Sequence, residues 1–215
     1  MKIFLRLVSS FVFLAFFSCS TPYSKLTQVS NVPFPVWQFK PQFEKELYRC
    51  VVDGRFLFKK FHLSGILLLK QFQDNSTRAV FQNEMGFTFF DFEWNQLDSF
   101  KVNQIIPQLD KPALIKLLEK DMNLFLMKGL NAHSEADFMA NNESLYRFSL
   151  DKGFAYFIAT KDTLKRIENV GKKKVITIKI GEKKSPQSLP SSAIFIHHKA
   201  NFTIKLKAID EHVYE

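Results

Sequence analysis

The 215-residue sequence predicts a mainly β domain: a strongly curved antiparallel sheet, or incomplete barrel, of about eleven strands, with one inserted lid helix enclosing a hydrophobic cavity. Three observations predict it. Runs rich in β-branched and aromatic residues recur along the chain, Gly, Asn and Asp turn signals separate them closely, and a single segment near the middle switches to helical period. Connections this short join antiparallel neighbours.

The first strands are expected at 47–52, 62–72, 77–84, 87–94 and 100–106, with turn signals at Asp53-Gly54 and Asp74-Asn75-Ser76. The pattern breaks at 108–129. Asp110 is the expected N-cap, Pro112 fits the first turn and Gly129 marks the stop. Leu114, Leu118, Met122 and Phe125 recur at helical spacing, Ile115, Leu117 and Leu126 widen the stripe, and Lys116, Glu119 and Lys120 are polar. Such a helix must bury its apolar face, and the sheet is the available partner. Strands resume at 145–150, 154–159, 163–170, 174–180, 193–198 and 202–208. Ile176, Ile178 and Ile180 alternate with Thr177 and Lys179, and Phe202, Ile204 and Leu206 with Thr203, Lys205 and Lys207, so these strands have one wet face. Residues 183–192, with two prolines and four serines, form a loop. The 25 phenylalanines suit a lined cavity as well as an aromatic-rich core. Leu67, Leu69, Phe81, Phe90, Phe92, Leu118 and Phe148 are the expected lining of an acyl-chain cavity; residues 66–69 are apolar on both faces, which leaves their inward side open.

At the N-terminus Lys2 and Arg6 flank an apolar stretch, 7–17, too short to span a bilayer, and Ser18 precedes Cys19. This arrangement resembles a bacterial lipoprotein signal, which implies that residues 1–18 are removed and Cys19 is acylated; an ordinary signal peptide or an uncleaved anchor are the alternatives. Phe16 departs from the pattern, which prefers Leu, Val or Ile there. Several acyl chains, at about 0.8 kcal/mol per buried CH₂, make an effectively permanent anchor. Ser20 rather than aspartate after the cysteine is compatible with forwarding to the outer membrane. The absence of an acidic run, the surface-export signal of some Bacteroidota, favours a periplasm-facing domain. Prolines 22, 33, 35 and 41 make 20–42 read as an extended tether, so the chain divides into a signal peptide at 1–18, acylated Cys19 with its tether at 19–42, and one lipid-binding domain at 43–215.

The net charge of +9 suggests an anionic partner. Nucleic acid fits poorly, because no binding module is visible and an exported, anchored chain seldom meets it. Lys172-Lys173-Lys174 with Lys183-Lys184 is the densest basic cluster and reads either as a headgroup contact or as solvated turns. Cys50 has no intramolecular partner once Cys19 is acylated.

Residues 76–95 carry a more specific signal. A strand runs into Asn83-Glu84-Met85-Gly86, another leaves at once, and the helix follows after one further strand. This order resembles the LolA/LolB-like lipoprotein carriers, and the outer-membrane receptor LolB in particular, where an Asn-x-Leu-Gly turn presents an exposed leucine to the membrane. The resemblance implies an outer-membrane acceptor that takes lipoprotein acyl chains from a periplasmic LolA-like carrier and inserts them among the outer-membrane lipids. It also implies a monomer without cofactor. Asn83, Glu84, Met85 and Gly86 would be the membrane-insertion loop, with Met85 in the leucine position and Glu84 in place of the usual proline. Residue-level similarity is confined to roughly 65–129.

Enzymatic chemistry finds little support. None of the five histidines, at 62, 133, 197, 198 and 212, sits at metal-ligand spacing, and His197 and His198 should point to opposite faces. There is no Gly-x-Ser-x-Gly and no phosphate-cradling glycine loop. Asp91 and Glu93 could form a carboxylate pair, or simply face solvent. The expected function is therefore non-enzymatic. The alternatives are an accessory lipoprotein of an envelope complex or a carrier of another lipid.

Overall fold

The computed structural model describes residues 22–30, 32–56, 59–130 and 133–209. The leader, Ser18, Cys19, Ser20 and His212 lie outside the described residues. The strands are β1 (Gln28–Val29), β2 (Lys45–Phe56), β3 (Lys59–Gln71), β4 (Thr77–Gln82), β5 (Thr88–Trp94), β6 (Phe100–Ile105), β7 (Ala136–Ala140), β8 (Glu143–Ser149), β9 (Phe154–Thr160), β10 (Thr163–Val170), β11 (Lys174–Ile180), β12 (Ser192–His197) and β13 (Phe202–Ala208). One helix, α1 (Pro112–Leu126), lies between β6 and β7. All thirteen strands form one curved, open antiparallel sheet in the order β1-β7-β8-β9-β10-β11-β12-β13-β2-β3-β4-β5-β6. This is the expected incomplete barrel with a lid helix.

Two meanders, β2–β6 and β7–β13, meet where β13 pairs with β2, from Phe202 opposite Gly54 to Ala208 opposite Tyr48. That junction puts β6 at one margin and β7 beside the other. The chain between them must pass over the sheet, and α1 lies within that passage, from the β8–β9 turn, where Lys116 meets Asp151, back to the β5–β6 turn, where Lys128 meets Asp98. The lid therefore follows from the connectivity. Strand directions alternate throughout, so the turns at 83–87, 150–153, 171–173 and 198–201 share one end of the sheet, and those at 72–76, 95–99 and 161–162 share the other. Gln96 Nε2 donates to Asp74 Oδ2 at 3.3 Å across two turns of the second group.

Leu118, Met122 and Phe125 of α1 are buried against the sheet as the periodicity requires, each worth roughly 1.5–3 kcal/mol of apolar burial. They join one core with Tyr48, Leu67, Phe81, Phe92, Trp94, Phe195 and Leu206. A smaller cluster on the opposite face joins Phe138, Leu145, Tyr156, Ile158 and Val170.

Several expectations need correction. Two strands beyond the eleven exist: β1 has two residues, and β7, Ala-Asp-Phe-Met-Ala, alternates correctly but carries no β-branched residue to announce it. Asp53-Gly54 is not a turn; it lies inside β2 opposite His62 and Phe61. A Cβ on Gly54 would stand 2.3 Å from Phe61 Cζ and 2.6 Å from Phe202 Cβ, so the glycine there admits two rings. Asp110 does not cap α1. The N-cap is Lys111, with no side-chain cap, because Pro112 takes the first helical position. The helix stops at Met127 in the left-handed region (φ 52°), before Gly129.

The expected tether is also not free. Residues 36–39 form a 3-10 turn that buries Val36 and Phe39, Phe39 meets Tyr146 edge-on at 6.0 Å, and the Tyr146 hydroxyl donates to the Phe34 carbonyl at 2.6 Å. Upstream, β1 pairs with β7, and Tyr23 and Leu26 pack on the second cluster. The N-terminal segment wraps around the margin of the sheet, touching both faces. Its apolar residues are too sparse to show a period, but each finds a place in a core built elsewhere.

Candidate functional site

Of the seven expected cavity residues, Leu67, Leu69, Phe81, Phe90, Phe92 and Phe148 lie on the sheet face that α1 covers and Leu118 on α1 itself; all are between 0% and 8% exposed and belong to one cluster. Strand alternation resolves the ambiguous stretch, since Leu67 and Leu69 point in while Ile66 and Leu68 are only half-buried.

Beside them stands the turn at 83–87. Asn83 Oδ1 accepts from the Met85 and Phe87 amides at 3.0 and 2.8 Å, and Asn83 N donates to the Phe87 carbonyl at 2.9 Å. Gly86 takes φ 82°, where a side chain would be strained. This scaffold presents Met85 at 92% exposure and Phe87 at 55%. From Phe87 a row of rings runs inward: Phe87 to Phe89 at 6.0 Å, Phe89 to Phe81 at 4.8 Å, Phe81 to Phe90 at 5.7 Å, Phe90 stacked on Phe92 at 4.3 Å, Phe92 to Phe100 at 5.1 Å, and Phe100 to Trp94 at 5.3 Å. Trp94 Nε1 then donates to Asn123 Oδ1 of α1 at 2.7 Å. The row links an exposed tip to the lid.

Polar contacts hold α1 down, and the sequence reading missed them. Asp121 Oδ2 lies 2.7 Å from His197 Nε2, with both side chains 3% exposed. Lys120 donates to Asn169 Oδ1 on β10. At the C-terminal end Lys128 pairs with Asp98 at 3.0 Å, and Asp98 also accepts from the Gly129 amide at 2.9 Å. At the N-terminal end the one polar side-chain contact among the described residues is Lys116 with Asp151, at 3.9 Å between exposed side chains, a contact worth little. A usable signal existed for Asp121: it interrupts the apolar stripe three residues after Leu118 and four before Phe125.

Asp98 lies below the ordinary carboxylate range; burial opposes this, but the Gly129 amide and the Lys128 ammonium outweigh it. A depressed native value stabilises above the unfolded pKa, about 3.9, and the gain is lost as pH falls through the native one. Asp98→Asn should therefore destabilise by about 1–2 kcal/mol at pH 7 and by less below pH 3, read from urea unfolding at both pH values.

A second turn of the same form occurs at 95–99. Asn95 Oδ1 accepts from the Leu97 and Ser99 amides at 2.9 and 3.0 Å, and Leu97 is 86% exposed. It stands at the other end of the sheet, where its Asp98 holds the C-terminal end of α1.

On the outer face Tyr23 donates to Glu168 Oε2 at 2.8 Å. Glu168, 1% exposed, also receives Arg166 at 3.1 Å and Lys174 at 2.8 Å. The basic cluster expected around 172–184 is split, since Lys172–Lys174 and Lys183–Lys184 flank opposite ends of β11. Lys174 is spent on Glu168, and Lys183 donates to the Pro186 carbonyl, burial pushing its ammonium down to about 8.

Asp91 and Glu93 each engage a different partner. Arg78 grips Asp91 in two contacts at 2.8 and 2.5 Å, and Asn103 donates to Glu93 at 2.7 Å. His198 contacts Thr177 on the face opposite His197, and burial pushes the Cys50 thiol up to about 12. Among the described residues no group of three His, Cys, Asp or Glu side chains is placed to hold a metal, and no helix is long and apolar enough to cross a membrane.

No protein-family model and no curated protein matches this chain. Among solved structures it is similar to a domain from Vibrio parahaemolyticus described as an outer membrane lipoprotein-sorting protein, at 7% identity over 83% of this chain and 91% of that one, with a TM-score of 0.47. It is also similar to a DUF1329 family protein from Desulfovibrio piger ATCC 29098, at 9% identity over 78% of this chain and 84% of that one, with a TM-score of 0.42.

Proposed function

We propose that this chain is a lipid-anchored acceptor at the outer membrane that receives lipoprotein acyl chains from a periplasmic carrier and releases them into the bilayer, without a chemical step. One observation carries the reading: a continuous aromatic row joins the exposed Met85–Phe87 tip to the apolar face under α1. In the lid-closed state that face is sealed, so cargo enters only when α1 moves. Acyl chains pass onward if they are held more tightly here than in the donor and more favourably still in the membrane, since a site shifts its ligand only through differential affinity.

The anchor supports the same orientation. Tyr23 is held on the outer face by Glu168, beside the β10–β11 turn, and that turn shares an end of the sheet with Met85. From acylated Cys19 to Tyr23 the chain spans at most about 14 Å. The domain would ride close to the bilayer, tip end first, rather than at the reach of a tether running to Gln42.

The test is transfer of a fluorescent acylated lipoprotein from the full chain to liposomes. Met85→Glu should retain cargo binding and slow transfer about tenfold or more, because a carboxylate costs up to about 2.5–3.5 kcal/mol inside a bilayer. Unchanged transfer would remove Met85 from the mechanism, and a wild type that binds no acyl chain would end the carrier reading.

A further inference from the structure

We propose that Asp121 and His197 form a clasp sharing one proton, which holds the lid helix closed and lets it swing from its C-terminal end. The idea rests on the carrier reading for its purpose but on geometry for its existence. His197 Nδ1 lies 3.2 Å from the Phe202 carbonyl, which can only accept, so Nδ1 carries a proton. The remaining nitrogen, Nε2, meets Asp121 Oδ2 at 2.7 Å, a distance that requires one proton between them. The His197 ring also stacks on Phe202, at 3.8 Å and 18°, so it has no freedom to turn away.

The pair is neutral with its one shared proton, whichever atom holds it. A second proton buries a positive charge without a counter-ion, and loss of the first leaves two acceptors face to face; both are costly at 3% exposure. The nearest other charge on Asp121 is Lys120 of the same helix. Around Lys120 stand Lys116 on α1, Asp151 from the turn after β8, and Lys199 from the turn after β12. A cation-rich surround disfavours the second proton on the pair and makes its arrival the opening event. Burial also pushes the Asp121 carboxyl up, against His197 and Lys120, which favours the carboxyl as holder of the shared proton in the closed pair.

The direction of opening follows from the unequal ends of the helix. The C-terminal end is fixed by Asp98 to Lys128 and Gly129, while ahead of Lys120, which donates to Asn169, the only polar side-chain contact of the helix among the described residues is the exposed Lys116–Asp151 pair. Asp121 sits between them, on the side that moves.

Amide hydrogen exchange of the full chain, with no ligand added, reads the clasp apart from cargo. In His197→Phe, exchange over 114–126 should accelerate at least tenfold at pH 7 while β2, β3 and β4 stay as in the wild type. The wild-type helix should approach that rate on acidification. His197→Gln, which still donates to the carboxylate, should hold the helix with a weaker acid response, and the Asp121→Leu/His197→Phe double variant should hold it at every pH. Unchanged helix exchange in His197→Phe, or uniform acceleration across the sheet, overturns the proposal. If that single variant does not fold, an acid response persisting in the double variant overturns it, and its loss supports it. Uptake of a fluorescent long-chain fatty acid is the separate arm. Faster uptake by His197→Phe ties the clasp to the lid's role, whereas a loosened helix with no uptake in any variant overturns the carrier reading and leaves the clasp standing.

Discussion

Gly65→Ala should destabilise the protein by about 3 kcal/mol or more, the upper range for an overpacked interior. A Cβ at this position would stand 2.0 Å from the Gln82 carbonyl oxygen, 2.8 Å from its carbon and 2.9 Å from Asn83 Cα. All three neighbours are backbone, so no side chain can turn aside, and the end of β4 would have to retreat from β3. That is where the register shifts between Phe81 and Gln82, and where Asn83 begins the turn that presents Met85. One added methyl group would thus disturb both the fold and the tip. Gly86→Ala is the control: nothing lies within 4 Å of its Cβ, so its cost is the left-handed backbone alone, about 1–2 kcal/mol. Urea unfolding of the two variants should separate them, and equal midpoints would show that β3 and β4 can part without penalty.

Phe92→Ala should cost about 3–5 kcal/mol, the range for deleting a buried aromatic ring. Phe92 is fully buried, stacks on Phe90 at 4.3 Å and 16°, and meets Phe100 edge-on at 5.1 Å and 74°. Aromatic pairs of these geometries add roughly 0.5–1.5 kcal/mol beyond burial. Against a total stability of 5–15 kcal/mol for a typical domain, the loss is large enough to lower a urea midpoint plainly. A change under 1 kcal/mol would mean that α1 and β6 collapse onto the gap, and that the covered face is soft enough to accommodate cargo without the lid moving.

Phe81, Phe90, Phe92, Phe148 and the helix with Leu118 were legible from local periods, every second residue in β4, β5 and β8 and every third or fourth in α1, whereas the inward side of Leu67 and Leu69 was not, because residues 66–69 are apolar on both faces. Met85 was legible because a turn is a local event, with its asparagine and glycine within four positions. What escaped was non-local. Asp121 and His197 are 76 residues apart, and Tyr23 and Glu168 145, so no spacing announces either pair. Asp53-Gly54 has the composition of a turn, yet Asp53 meets His62 at 2.7 Å across the strand pair and Gly54 accommodates two rings. There the tertiary partner overrides the local propensity.

The path of α1 across the sheet, from the β8–β9 turn at Asp151 to the β5–β6 turn at Asp98, makes it the string of a bow. A helix of 15 residues is a rod of about 22 Å that does not stretch. Any unbending of the sheet moves these two turns apart and draws on the helix between them, while lifting the helix frees the sheet to flatten. On the carrier and clasp proposals, cargo that wedges the strands and a proton that frees the helix would therefore work along one mechanical coordinate, and each would lower the work left for the other.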